Sequence, residues 1–206
     1  MDRTRLVLSY ALAIALTVHA GTTTAAGRPT RANADATTPA RAGAPLTLET
    51  LRNARLDCPR TAIRGCFGRV TLRDGVGTTD DGTLVSLLEE RVSIGDLDGD
   101  PATDAALVVS CWPGGRRVYD VLVVVSTTGA TLACRAAESL GAGIGLHYVS
   151  IARGTVYVDL TTRGPNDPHA CPSQRATRAY QLTAGRLVGT EAVRPTRVSQ
   201  VLCPES

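Results

Sequence analysis

The chain contains no lysine; all 22 of its basic residues are arginine. A GC-rich coding bias yields that composition without selection for binding, so the arginines are not by themselves a nucleic-acid signature. The formal net charge is +3, too small to imply strong electrostatic steering. No nucleic-acid partner is expected. The six cysteines include no CxxC pair and have no histidine cluster beside them, which argues against a thiolate zinc site. Neither a GxSxG elbow nor an HExxH motif occurs. The glycine-rich stretch Gly141–Gly145 reads as a loop without the following helix that a phosphate site requires. The longest apolar run, Leu6–Val18, falls short of the roughly 20 residues of a comfortable membrane span.

That run instead completes a secretory signature. Arg3 and Arg5 precede it, and Val18-His19-Ala20 ends it in small residues. Residues 1–20 are therefore expected to be a signal peptide, with Ala26 as the alternative end, and no transmembrane segment is expected after its removal. An uncleaved anchor is the other reading. All six cysteines (Cys58, Cys66, Cys111, Cys134, Cys171 and Cys203) lie beyond it, and an even number in an exported chain reads as three disulfides. Fifteen connectivities are possible. Cys58–Cys66 is expected, because the two flank a short loop. A meander of the later strands would join Cys111 to Cys171 and leave Cys134 with Cys203.

Residues 21–44 are Thr, Ala, Arg and Pro with almost no large apolar side chain and read as a disordered leader. Residues 45–206 read as one domain of ordinary size. A short helix is expected within Pro45–Arg55, with Thr47 or Thr50 near its start. Nine further segments carry strand patterns: Phe67–Arg73, Leu84–Ile94, Ala105–Cys111, Val118–Ser126, Thr131–Ala136, Leu146–Ala152, Thr155–Thr162, Thr177–Thr183 and Arg186–Val193. Alternation in Thr155–Leu160 marks a half-buried strand, whereas Val121–Val125 is continuously apolar and central. The fold class is mainly β: one antiparallel, disulfide-stapled domain of about eight or nine strands, a meander or sandwich.

Between two of these segments lies Asp96-Leu97-Asp98-Gly99-Asp100-Pro101-Ala102-Thr103-Asp104, with carboxylates at relative positions 1, 3, 5 and 9. Alternate residues of a tight loop can aim oxygens at one hard cation such as Ca2+. An EF-hand is excluded, since position 6 is Pro101 and position 12 is Leu107. The loop resembles the strand-loop-strand calcium loop of FG-GAP/VCBS-type (integrin-like) repeats. That resemblance implies Asp96, Asp98, Asp100, the Ala102 carbonyl and Asp104 as ligands; Pro101 stands where such repeats usually carry glycine. It covers about twenty residues in a single copy, so a propeller does not transfer. The wider layout, including Cys171-Pro172-Ser173, is similar to small secreted or lipoprotein-like domains of high-GC Gram-positive bacteria, which carry no assigned activity. A bare Asp/Gly turn is the alternative.

Other residues offer less. Trp112 with Arg116 and Arg117 makes a contact surface suited to sugar stacking or an anionic envelope polymer; alternatively Trp112 covers the Cys111 disulfide. Glu89 and Glu90 read as a solvated patch. The sequence thus points to a secreted, non-catalytic, monomeric binding module for an unknown envelope polymer or protein. Two rivals differ in what they require. A small hydrolase needs His147 or His169 joined to an acid (Asp159 or Asp167) and a nucleophile (Ser150 or Ser173). A protease inhibitor needs a rigid exposed loop, with Gly164–Ser173 the best placed.

Overall fold

A computed structural model of the chain describes residues 45–129, 131–164, 167, 172–192 and 196–197. The expected signal peptide, the leader, His169, Cys171 and Cys203 lie outside the described residues, all of which fall within one compact unit. A single helical turn, α1 (Leu48–Arg52), starts the described chain. Thr47 caps it: its Oγ1 accepts from Thr50 N–H, and Thr50 Oγ1 accepts from Thr47 N–H, so two otherwise orphaned donors are satisfied.

Twelve strands follow: β1 (Arg55–Asp57), β2 (Arg69–Thr71), β3 (Val76–Thr78), β4 (Leu84–Gly95), β5 (Asp104–Trp112), β6 (Tyr119–Thr128), β7 (Thr131–Ala142), β8 (Gly145–Ala152), β9 (Thr155–Thr162), β10 (Gln174–Thr183), β11 (Arg186–Ala192) and β12 (Thr196–Arg197). They form two five-stranded antiparallel sheets and one small pair. The first sheet runs β3-β4-β5-β6-β7; the second runs β11-β10-β9-β8, with β12 also on β10; β1 and β2 pair alone. All nine expected strand segments contain a strand, and the antiparallel, disulfide-bonded β class holds. The Gly141–Gly145 loop does not: Gly141 and Ala142 finish β7 and Gly145 opens β8, leaving only Gly143 and Ile144 to turn the chain.

The first sheet is the middle of three layers, which explains its uninterrupted apolar sequence. On β5 and β6, Leu107, Val109, Val121, Val123 and Val125 pack toward α1, β1 and β2. The alternate residues Ala106, Val108, Leu122 and Val124 pack against Val149, Val156, Val158 and Leu160 of the second sheet. Successive side chains of a strand point to opposite faces, so a strand covered on both sides loses its polar positions. Among the described residues the second sheet is covered on one side only, and it keeps the alternation visible in Thr155–Leu160.

Two disulfides fasten the outer layer to the middle sheet: Cys58–Cys134 and Cys66–Cys111. Both expectations about pairing are therefore corrected. Cys58 does not pair with Cys66 across their short loop, and Cys111 and Cys134 are not partners of Cys171 and Cys203. The expectation assumed cysteines near in sequence or at the same end of one sheet. The actual bonds cross between layers, where segment 58–66 lies over the middle sheet.

Candidate functional site

The Asp loop joins β4 to β5, and its geometry follows from its own carboxylates. Asp96 Oδ1 accepts from the N–H groups of Asp98 (3.2 Å) and Gly99 (2.7 Å). Asp98 Oδ1 accepts from Asp100 N–H (3.3 Å), and Asp100 Oδ1 from Ala102 N–H (2.7 Å). These are Asx turns, each short acid capping the backbone two or three residues on. Gly99 takes φ +80°, a left-handed conformation that glycine adopts without strain. Asp104 anchors the far end. It is 1% exposed, accepts from Leu97 N–H at 2.7 Å through Oδ2, and takes the Ser126 hydroxyl of β6 through Oδ1.

Carboxylate oxygens of Asp96, Asp98 and Asp104 all lie within 4.8 Å of one another. Calcium–oxygen distances of about 2.3–2.6 Å place ligand oxygens up to about 5 Å apart across the ion, so three carboxylates at this spacing fit it. Asp100 is not part of that group; its Oδ1 is turned to Ala102 N–H. Arg135 of β7 leans in from the side, donating to Asp98 Oδ2 (3.2 Å) and Ser126 Oγ (3.3 Å). Of the three acids, Asp98 is the one this guanidinium reaches, which leaves an excess of negative charge.

Trp112, Arg116 and Arg117, the residues of the expected contact surface, lie at the β5–β6 turn. Trp112 is partly exposed at the end of β5, and Gly114, Gly115, Arg116 and Arg117 are exposed. Across from the turn, segment 62–64 supplies a second wall, and the two enclose a cleft of about 530 Å³. Arg64, which no motif singles out, lines that cleft beside Arg116 and Arg117. The Cys66–Cys111 bond ties the roots of both walls together.

The second cleft, about 520 Å³, was not foreseen at all. Leu87 of β4 faces Val109 of β5, yet Val92 faces Leu107, so Leu88–Arg91 bulge out opposite Val108 alone. Glu89 and Glu90 lie in this bulge. Glu89 ion-pairs with Arg52 at 3.1 Å, while the Glu90 side chain is 88% exposed. The Arg91 guanidinium donates twice to Leu146 O, at 3.2 and 3.0 Å, and so bridges β4 to the second sheet. Asp120 of β6 lies in the same cleft, accepting from Ser110 Oγ at 2.8 Å. Its side chain takes a core-facing position, and burial pushes its pKa above the ordinary carboxylate value, with the Ser110 bond opposing in part. The signal was Asp120 inside an apolar run, directly opposite Ser110.

That shift carries a sign. A carboxyl whose pKa is raised by folding disfavours the folded state once it ionises. Asp120→Asn is expected to gain stability relative to the native chain as pH rises above the ordinary aspartate range near about 3.9. The gain levels off once pH exceeds the raised native value. Urea unfolding of both proteins across pH 3–8 tests this; a constant difference over the whole range would refute it.

His147 lines neither of these clefts. Its Nε2 shares a 2.6 Å hydrogen bond with Thr161 Oγ1 on the second sheet. Neighbouring Asp159 is clasped by Arg175 through two bonds of 3.2 and 2.6 Å, and that clasp, foremost, holds its pKa low. Asp167 accepts from Gly164 N–H, Ser173 N–H and Ser173 Oγ, each at 2.7 Å. The Ser173 hydroxyl is thereby directed to a carboxylate. Ser150, Ser173 and His147 are not gathered into a nucleophile–base–acid arrangement among the described residues. No family model, no curated protein and no solved structure matches this chain.

Proposed function

We propose that the chain is a secreted, non-catalytic binding module of the cell envelope or extracellular space, with a calcium ion as a structural element of the β4–β5 loop. The observation that carries this reading is the convergence of Asp96, Asp98 and Asp104 within 4.8 Å, with Asp104 buried and anchored by Leu97 and Ser126. The spacing supports the FG-GAP-like resemblance with one change in the ligand set. Asp96, Asp98 and Asp104 would hold the ion, and Asp100 would serve the turn. Bound calcium would neutralise the loop and brace the β4–β5 connection. The disulfides agree with an oxidising compartment. The contact surface in this reading is the exposed turn at Trp112, Arg116 and Arg117. His147 and Ser173 each have a hydrogen-bond partner of their own, Thr161 and Asp167, rather than each other, which favours binding over hydrolysis.

Thermal unfolding of the oxidised protein with calcium and with chelator tests the ion. A ligand that binds only the native state at about 100 times its Kd adds about 2.7 kcal/mol. For a chain of this size that raises Tm by about 5–10 °C. Asp96→Asn and Asp98→Asn should each abolish most of the rise, while Asp100→Asn should retain it. A Tm unmoved across millimolar calcium removes the ion from the proposal.

A further inference from the structure

We infer that the cleft between segment 62–64 and the β5–β6 turn binds a linear polymer carrying repeated oxyanions, phosphate or carboxylate. The inference rests on the binding-module reading and adds the chemistry of the ligand. Three side chains on the walls are guanidiniums, Arg64 on one and Arg116 and Arg117 on the other, and among the described residues no carboxylate lines the cleft. None of the three makes an ion pair among the described residues. The nearby acid, Asp81 beyond Gly65, is occupied by the Thr79 hydroxyl and by Arg60 at 3.5 Å. The cleft is therefore complementary to negative charge, and the fork of a guanidinium matches both phosphate and carboxylate.

The walls are fixed before any ligand arrives. Cys66 lies two residues after Arg64 and Cys111 two before Pro113, and their disulfide holds the two Cα atoms 5.9 Å apart. Cys66 N–H donates to Ile63 O at 3.0 Å, and Thr61 Oγ1 donates to Cys66 O at 2.8 Å, closing the first wall on itself. Such preorganisation lowers the ordering cost of binding. Gly114 and Gly115 take φ +111° and +76° with open space where a side chain would stand, so a chain can approach the backbone closely. The length of the ligand follows from exposure. All three arginines are exposed, and an exposed ion pair contributes little alone. A single oxyanion is held weakly, whereas a repeating chain engages all three guanidiniums at high effective concentration.

Calorimetric titration with long-chain polyphosphate and with polygalacturonate, at low salt and in chelator, tests this. The emission of Trp112, the single tryptophan, reports locally because it adjoins Pro113 of the cleft. At least one polymer should bind saturably, more weakly as salt rises, and which one binds identifies the oxyanion. The triple variant R64Q/R116Q/R117Q should weaken it about tenfold or more with Tm unchanged. R55Q/R73Q/R186Q removes the same charge from exposed arginines outside the cleft and should stay within about twofold. Binding of neither polymer, equal loss in both triple variants, or inorganic phosphate binding as tightly as the polymer would each overturn the inference. A calcium-dependent Tm without polymer binding defeats only the cleft. Polymer binding through the arginines without any calcium effect defeats only the ion.

Discussion

Replacing Cys58 and Cys134 together by serine is expected to destabilise the protein by about 4 kcal/mol. The two cysteines are 76 residues apart in sequence, so their bond closes a long loop in the unfolded chain. Loop-closure entropy for closures of this length amounts to about 4–4.5 kcal/mol. The Cys66–Cys111 bond spans 45 residues and should contribute nearly as much, about 4 kcal/mol. These are large fractions of a typical net stability of about 5–15 kcal/mol, so the variant lacking both should lose cooperative unfolding at ambient temperature. What loosens is also specified. Cys58 and Cys66 belong to the layer of α1, β1 and β2, which covers the apolar face formed by Val109, Val121, Val123 and Val125. Losing either bond should expose that face first, raising binding of a hydrophobic dye before the second sheet melts. Urea unfolding measures the cost, and non-reducing peptide mapping checks the pairings. Recovery of a Cys58–Cys66 peptide would contradict the layer arrangement itself.

The contrast between strands and disulfides marks how much the residues reveal alone. Leu84–Ile94, Ala105–Cys111 and Thr155–Thr162 match β4, β5 and β9 closely, because a long apolar or alternating run bounded by Gly, Asp or Pro is a local signal. β1, β3 and β12 have three, three and two residues, too few for any period to register. Layering was half legible: Val121–Val125 announced a strand buried on both faces, but not which segments cover it. Disulfide partners depend on that cover, so proximity in sequence misled. The same holds at the sites. Asp96, Asp98 and Asp104 converge as their spacing implied, since they share one short loop. Asp100 departs because an Asx turn to Ala102 competes for its carboxylate. Arg64 joins Arg116 and Arg117 only through a bond that joins distant segments, and Asp120 gains its cleft only through a bulge on another strand. Neither could be read from neighbouring residues.

Asp104→Ala is expected to cost about 2–5 kcal/mol, and to cost it with calcium absent as well as present. Asp104 differs from the other loop acids in being buried, while Asp96 and Asp98 are on the exposed tip. Its carboxylate receives Leu97 N–H at 2.7 Å and the Ser126 hydroxyl, and Arg135 in turn donates to Ser126 Oγ at 3.3 Å. Alanine would strand two donors in a site with little access to water, and each buried unsatisfied group costs about 1–3 kcal/mol. Leu97, 5% exposed and packed among the residues between the two sheets, would lose the bond that turns its backbone inward. The loop's register against the sandwich therefore depends on Asp104 before any ion is considered. Asp96→Asn makes the complementary case: its Oδ1 bonds within the turn survive as an amide oxygen, so in chelator it should change stability by less than about 1 kcal/mol. In saturating calcium the same substitution should forfeit the ion's contribution. Urea unfolding of the three proteins with calcium and with chelator separates the two roles. If Asp104→Ala were as mild as Asp96→Asn in chelator, the buried carboxylate would not be the anchor of the loop. If Asp96→Asn were equally mild in both conditions, the anchor would stand and the calcium would not.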